Sequence, residues 1–178
     1  MTRPYYLDVP GAALTKNERE LIVKLSSEFE GTPLFFGIGV MWGGSFHCMR
    51  AGNPNAEIYG LDIDYYTYRI HREDLIKAIF LKGNSTTYQF DKPIDFLFVD
   101  GAHDYNTVKA DIANWKDRVK VDGIIAFHDF KPKQVDVDLF PSIVGVNKAV
   151  MESELTQVGK RFIQIEQVDS IIAFRRIE

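Results

Sequence analysis

The sequence has almost no cysteine, no long apolar run and no excess of basic residues, and each absence excludes a class of protein. Cys48 is the only cysteine, so no internal disulfide can form and a reducing compartment is expected. No stretch approaches the roughly 20 apolar residues of a membrane-spanning helix. The first residues lack the apolar run of a signal peptide. We therefore expect a cytoplasmic protein with no membrane partner.

The charge balance argues against a nucleic-acid partner. The 178 residues carry a formal net charge of -4 at pH 7, whereas domains that neutralise phosphates usually present a basic surface. Hydrophobic residues make up 46% and charged residues 26% of the chain, a balance typical of soluble globular proteins. We expect one domain over residues 1–178, with self-association left open.

Apolar runs alternate with helical patterns, which predicts a βα-alternating fold with a parallel sheet. Two final apolar runs, at 161–165 and 170–177, are joined by a turn too short for a parallel crossover and should pair antiparallel. We therefore predict a Rossmann-like three-layer α/β sandwich whose mainly parallel, seven-stranded sheet ends in an antiparallel C-terminal hairpin. The other predictions are strands at 34–38, 57–61, 78–81, 94–99 and 123–127, a helix over 66–76 and a loop over 131–141. The spacing of Thr15 and Glu18 predicts a capping box, and Asp104 can cap the helix that follows it.

A glycine-rich turn, Gly37 to Gly44, follows the first predicted strand and leads into a short helix that starts near Ser45. Its glycines let the backbone approach a ligand closely, and the helix that follows offers free N–H groups. Asp62 ends the second strand, and an acid about 20 residues past such a turn is placed to bind the two hydroxyls of a ribose. Trp42 occupies the third glycine position of the dinucleotide fingerprint, which disfavours a nicotinamide-dependent oxidoreductase. A ligand-free turn and a solvated strand-end aspartate are the alternatives.

Four polar side chains follow two strands that should be neighbours. Asp100 and His103 come after the fourth strand, and His128 and Asp129 after the fifth. Ligands of open α/β sheets bind at the carboxyl ends of the strands. Two carboxylates and two imidazoles there can bind a cation or supply a general base, for which the ordinary histidine pKa of about 6.5 is suitable. The alternative is a hydrogen-bonded network that only shapes the cleft.

The motifs that contain these residues resemble a known family. They look like class I methyltransferases of the group that includes cephalosporin-hydroxylase-like proteins and macrolide-sugar O-methyltransferases. Gly39 to Ser45 is similar to the I-G-x-x-x-G-G-S turn of this group, Asp62 to its ribose acid and Gly83 to Ser85 to its G-D-S segment near the adenine. The most distinctive matching segments are 98–105, 108–111 with Trp115, and 123–130.

The resemblance implies S-adenosylmethionine as methyl donor, a small-molecule acceptor methylated on oxygen, and often a divalent cation, usually magnesium. It places the catalytic base at His103 beside Asp100, and the metal ligands at Asp100, His128 and Asp129. The cofactor-binding residues that it implies are Gly37, Gly39, Gly43, Gly44, Ser45, Asp62, Ile63, Asn84, Ser85 and Asp100.

The sequence departs from this family at two places. Gly37 stands where a glutamate is common, and the pair His128–Asp129 stands where two carboxylates or Asp-Asn are frequent. The chain also lacks the insertions that usually build an acceptor pocket, so residues 1–14 and 131–141 are the candidate lid segments. The alternative function is a cofactor-binding domain that does not catalyse and acts as a partner or regulatory subunit.

Overall fold

A seven-stranded sheet forms the centre of the computed structural model, which describes residues 4–10, 13–64, 70, 73–157 and 161–178. The strands are β1 (Leu34–Ile38), β2 (Glu57–Asp62), β3 (Ile79–Lys82), β4 (Ile94–Val99), β5 (Val119–Phe127), β6 (Phe162–Val168) and β7 (Ile171–Arg176). Their spatial order is β3-β2-β1-β4-β5-β7-β6. The first five strands pair in parallel, and β7 pairs antiparallel with both β5 and β6. The predicted sheet, with β1 in its interior and an antiparallel hairpin at its end, is confirmed.

Helices cover both faces of this sheet. The α-helices are α1 (Lys16–Ser27), α2 (Gly44–Gly52), α3 (Glu73–Ile76), α4 (Tyr105–Trp115), α5 (Gln134–Leu139) and α6 (Val144–Met151). Single 3₁₀ turns lie at Tyr5–Asp8, Lys116–Arg118, Pro141–Ile143 and Glu154–Thr156. In the part of the chain described, no helix has the length and apolar character needed to cross a membrane.

Side-chain alternation in β1 divides the core into two apolar layers. Successive residues of a strand point to opposite faces, and all five residues of β1 are buried. Phe35 joins the layer beneath α1 and α2, whereas Phe36 packs against Trp115 of α4, with ring centroids 4.6 Å apart. Burial on both faces explains why the parallel strands read as continuous apolar runs.

Local capping sets where α1 and α4 begin. The Thr15 hydroxyl accepts from the Glu18 N–H, and the Glu18 carboxylate accepts from the Thr15 N–H, which forms the predicted capping box. Asp104 caps α4 by accepting from the Thr107 N–H. These caps place the first turn of each helix next to the carboxyl edge of the sheet.

Two predicted segments differ from the structure or lie outside it. Residues 131–141, predicted as a loop, contain α5, because Pro132 and Pro141 flank a stretch that can close a short helix between them. The predicted helix over 66–76 is described only at Ile70 and from Glu73 onward, where α3 forms. The rest of that predicted helix, residues 66–69 and 71–72, lies outside the described residues.

Candidate active site

A cleft of about 820 Å³ opens where the turns after β1, β2, β4 and β5 meet. Parallel strands end at the same edge of a sheet, so Asp62, Asp100 and Asp129 all reach this cleft although they follow three different strands. A volume of this size lies within the range of small-molecule and cofactor sites.

The turn after β1 is shaped by a close approach between two strand ends. Gly39 has φ +86°, and a Cβ at this position would lie 2.0 Å from the Asp100 carbonyl oxygen, so no side chain fits. The Val40 N–H donates to the Asp62 carboxylate over 2.8 Å, and the other Asp62 oxygen accepts from the Asp64 N–H at 3.1 Å. Bare backbone and one fixed carboxylate therefore form this end of the cleft, which we call the glycine-turn end.

The opposite end of the cleft holds Asp100, His103, His128 and Asp129, which we call the polar cluster. His128 Nδ1 lies 3.1 Å from Asp100 Oδ1 and 3.0 Å from Asp129 Oδ2. His103 Nε2 lies 3.0 Å from that same Asp129 oxygen and 3.9 Å from Asp100 Oδ1. Each carboxylate thus faces two imidazoles, and each imidazole faces two carboxylates.

Asp129 reaches the cluster through an unusual backbone conformation. Its φ is +57°, a left-handed value that is uncommon for a residue with a side chain and costs about 1–3 kcal/mol. The contacts of its carboxylate with His103 and His128 offset that cost. The strained turn directs the Asp129 side chain back over the end of β5 toward the Asp100 side chain.

Glu18 contacts His128 on the buried side of the polar cluster. Its Oε2 lies 3.5 Å from His128 Nε2, and its Oε1 accepts from both the N–H and the hydroxyl of Ser170. Glu18 is 2% exposed and His128 is 6% exposed. Burial raises the pKa of Glu18, but the contact with His128 and the hydrogen bonds from Ser170 outweigh burial and hold the pKa at about 2.

The surrounding acids keep both histidines protonated. Hydrogen bonds to Asp100 and Asp129 raise the pKa of His103 to about 9, against the effect of burial. Burial lowers the pKa of His128, but the charge of Asp100 and the contacts with Asp129 and Glu18 raise it well above its usual range. Burial raises the pKa of Asp129, and the two histidines more than reverse that effect. At neutral pH the polar cluster is therefore two carboxylates and two imidazoliums.

Three members of the polar cluster can offer ligand atoms to one ion. Those of Asp100, His103 and Asp129 all lie within 4.8 Å of one another. His128 lies outside this group; its Nδ1 faces both carboxylates and its Nε2 faces Glu18. The group thus contains His103, whereas the sequence prediction named His128, and the metal ligands stay a prediction.

Comparison with known proteins identifies the family. A family model described as a methyltransferase domain matches residues 36–130. The chain belongs to this family. The match runs from β1 to just beyond β5, so this methyltransferase domain contains the glycine turn, Asp62 and the whole polar cluster, while Glu18 lies outside the matched region.

Relatives and solved structures share parts of this domain. The uncharacterized protein y4gI of Sinorhizobium fredii is 30% identical over 87 residues, which are 47% of this chain and 10% of that protein. The MycE methyltransferase from the mycinamycin biosynthetic pathway, in complex with Mg, SAH and mycinamycin VI, has a TM-score of 0.68 at 17% identity, over 97% of this chain and 52% of its own. The O-methyltransferase from Bacillus cereus in complex with SAH has a TM-score of 0.68 at 16% identity, over 97% and 87%. These structures share the fold, and this chain spans about half the length of MycE.

Most residues predicted to bind the cofactor line the cleft of the methyltransferase domain. Asn84 opens the turn after β3, where its Oδ1 accepts from the N–H and hydroxyl of Thr86. Ile63 is 63% exposed at the cleft margin. The predicted residues found in the lining are Gly39, Gly44, Ser45, Asp62, Ile63, Asn84, Ser85 and Asp100.

Gly37 and Gly43 are not among the residues that line the cleft, and their predicted part in cofactor binding stays a prediction. Gly37 lies inside β1, where a Cβ would meet the Phe46 ring at 2.5 Å, so its absent side chain makes room for the core. Gly43 is the N-cap of α2 with φ +78°, and a Cβ there would meet Ile70 and Ile76 at 3.0 Å. Both glycines therefore make room for neighbouring apolar side chains of the core.

Glu18 and the apolar margin of the cleft were missed by sequence reasoning. Glu18 gave a signal only for the capping box, because nothing local connects it to His128. Met41 and Phe140, 52% and 65% exposed, flank the cleft together with Trp42 and Ile143. Isolated apolar residues in turns carry no periodic pattern, so the sequence does not single them out.

Proposed function

We propose that this domain is an S-adenosylmethionine-dependent methyltransferase that transfers a methyl group to an oxygen of a small molecule. The observation that carries the proposal is one cleft that joins the Gly39 turn and the Asp62 carboxylate to a polar cluster at its other end. The neighbours crystallised with SAH support it.

The glycine-turn end fits S-adenosylmethionine. Gly39 lets the turn pack directly against the Asp100 carbonyl with bare backbone at the cleft, and the Asp62 carboxylate beside it is suited to the two ribose hydroxyls. The cofactor, when bound, supplies a methyl group activated by a sulfonium. The cleft of about 820 Å³ leaves room for an acceptor next to the cofactor, and its apolar margin at Met41 and Phe140 can exclude water from the reacting groups.

The polar cluster fits a divalent cation and a base. Asp100 and Asp129 would hold the cation with His103 as third ligand, and a cation there would lower the pKa of an acceptor hydroxyl. Two carboxylates and waters suit magnesium, an ion that the MycE complex contains, whereas a nitrogen ligand suits manganese or zinc better. If His103 is instead the base, it must first lose its proton, and a cation between the carboxylates would offset the negative charge that retains that proton.

Two observations favour the alternative of a domain that binds the cofactor without catalysing. Each carboxylate of the polar cluster already faces two imidazoliums, so both carboxylates have charge partners without an ion. The Phe46 ring also fills the space that a glutamate at position 37 would need. This alternative predicts SAH binding without turnover on any acceptor.

Calorimetric titration with SAH, followed by methyl-transfer assays on a panel of hydroxylated small molecules, tests the proposal. The assays are run with chelator and with added magnesium, manganese or zinc. We expect SAH binding, turnover of at least one acceptor and loss of turnover with chelator. Absence of SAH binding would overturn the whole proposal, and chelator-insensitive turnover would remove the metal from it.

A cytoplasmic location, a single domain and lids formed by residues 1–14 and 131–141 are further parts of the proposal.

A further inference from the structure

One face of α4 holds the turn that lines the glycine-turn end of the cleft. Asn114 Nδ2 donates to the carbonyl oxygens of Ser85 and Tyr88 at 2.8 and 3.1 Å, and Trp115 Nε1 donates to the Ser85 carbonyl at 2.8 Å. Asp111 lies three and four residues before these side chains, which places it on the same face of the helix. The Ser85 backbone is thereby fixed from below by α4, while Ser85 itself lines the cleft.

The Asp111 carboxyl is buried beneath Ser85 without a satisfactory partner. The residue is 0% exposed, and neither carboxylate oxygen has a hydrogen bond of good geometry within the described residues. The Ser85 hydroxyl is the polar group that interacts with this carboxyl, and it opposes the rise in the pKa of Asp111. A fully buried carboxyl without a well-formed hydrogen bond is costly, so its presence under a cleft residue calls for an explanation beyond packing.

Burial makes Asp111 titrate close to neutral pH. It raises the pKa of Asp111 to about 6, the Ser85 hydroxyl reverses part of that rise, and the negative charge of Asp104 adds to it. The other charged groups around α4 in the described chain are engaged elsewhere. Lys109, Lys148 and Glu152 contact Tyr105, Arg118 contacts Phe90 and Asn114, and Lys116 contacts Asp117 and Glu154.

We propose that Asp111 is a positioning residue for the cofactor's base, and that through Ser85 it couples cofactor binding to the uptake of one proton. As a neutral acid, Asp111 can donate to Ser85 Oγ, which leaves the Ser85 hydroxyl hydrogen free for a ring nitrogen of adenine. As a carboxylate, Asp111 draws that hydrogen inward. The inference rests on the proposed function, since it requires an adenine nucleoside at this end of the cleft.

Solvation acts in the same direction as the hydrogen bonds. A nucleoside seated over Ser85 displaces the water nearest Asp111, which further disfavours the charged form. The complex therefore binds more protons than the free domain above about pH 6, and affinity falls as the pH rises. The expected slope approaches one, which is up to about tenfold in Kd per pH unit, between the pKa values of free and bound Asp111.

The test is calorimetric titration of SAH into the whole chain and into its Asp111→Asn variant, from about pH 5.5 to 8, with two different buffers at each pH. These buffers differ in ionisation enthalpy, so the comparison counts protons. We expect the wild type to take up more protons than Asp111→Asn, with a steeper fall in affinity. Ser85→Ala should weaken the coupling, and Asp91→Asn, at an exposed site, should match the wild type.

The outcomes separate this inference from the proposed function. If SAH binds and both proteins take up the same number of protons, the role of Asp111 is overturned and the proposed function stands. If SAH binds neither protein, both fall. Should Asp111→Asn fail to fold, carbon NMR of the wild type labelled at the aspartate carboxyls replaces it. One buried carboxyl should then titrate near pH 6 and shift upward with SAH, and the absence of that shift would contradict the proposal.

Discussion

The two ends of the cleft are formed by different kinds of chemical group. At the glycine-turn end, backbone groups of Gly39 and Val40 and one carboxylate, Asp62, make the surface, and the neighbouring strands hold them in register. In the polar cluster, the four charged side chains and Glu18 are held by ion pairs with one another. The backbone hydrogen bonds of the sheet do not determine these ion pairs. The first end suits the recognition of a fixed shape, and the second suits chemistry that depends on charge.

This comparison implies that the two ends should fail in different ways. Substitutions at the glycine-turn end should change ligand affinity, and those in the polar cluster should change turnover and the pH dependence of stability. Gly39 connects the ends, because its missing side chain lies against the Asp100 carbonyl.

The largest effect is expected for Gly39→Ala, because this substitution disturbs both ends of the cleft. The new methyl group would stand 2.0 Å from the Asp100 carbonyl oxygen at a backbone φ of +86°. We expect a loss of about 3–5 kcal/mol in the free energy of unfolding, measured by urea denaturation, with loss of SAH binding. Gly31→Ala is the matched control, since it has φ +68° with no atom within 4 Å and should lose only about 1–2 kcal/mol. Equal losses in the two variants would show that the close approach is not important.

His103→Ala separates chemistry from binding. We expect methyl transfer to fall by about 10²–10⁴-fold, since the variant removes the proposed base and metal ligand, while SAH affinity stays near the wild-type value. Asp129→Asn should show the same division. Kinetics with the identified acceptor, beside calorimetry with SAH, make the measurement. Full activity of His103→Ala would remove it from the reaction.

Glu18→Gln tests whether the support behind the polar cluster is electrostatic. The pKa of Glu18 is lowered in the folded protein from 4.5 to about 2. Its carboxylate therefore contributes stability that is present above about pH 4.5 and lost as the pH falls through about 2, on the order of 3 kcal/mol. The variant should be less stable than the wild type at pH 7, and the difference should shrink on acidification. A difference that is constant between pH 7 and pH 3 would contradict this assignment.

The smallest effect is expected for Asp62→Ala at the glycine-turn end. Removal of the carboxylate should weaken SAH binding by about 1–3 kcal/mol, the range for hydrogen bonds to a charged group. Thermal unfolding without ligand is the control for the lost bond to the Val40 N–H. Unchanged SAH affinity would exclude Asp62 from the site.

The sequence was sufficient for the fold and for the location of the cleft. Buried parallel strands need apolar residues on both faces, so β1, β2, β4 and β5 appear as continuous runs, and the polar residues that end them must meet at one edge. The capping box of α1 and the cap of α4 were equally evident, because each depends on residues only three apart. The glycine turn and Asp62 were predictable as a pair for the same reason of regular spacing.

Only the tertiary structure decided how charge is arranged in that cleft. The contact of Glu18 with His128 joins α1 to the end of β5, and the place of Asp111 beneath Ser85 depends on how α4 packs on the turn after β3. The side-chain spacing of one element carries no information about such contacts. The pKa of His103 changes with distances of a few ångströms to Asp100 and Asp129. Electrostatic interactions in a buried site depend on those distances and on exclusion of water, and packing across the whole fold determines both.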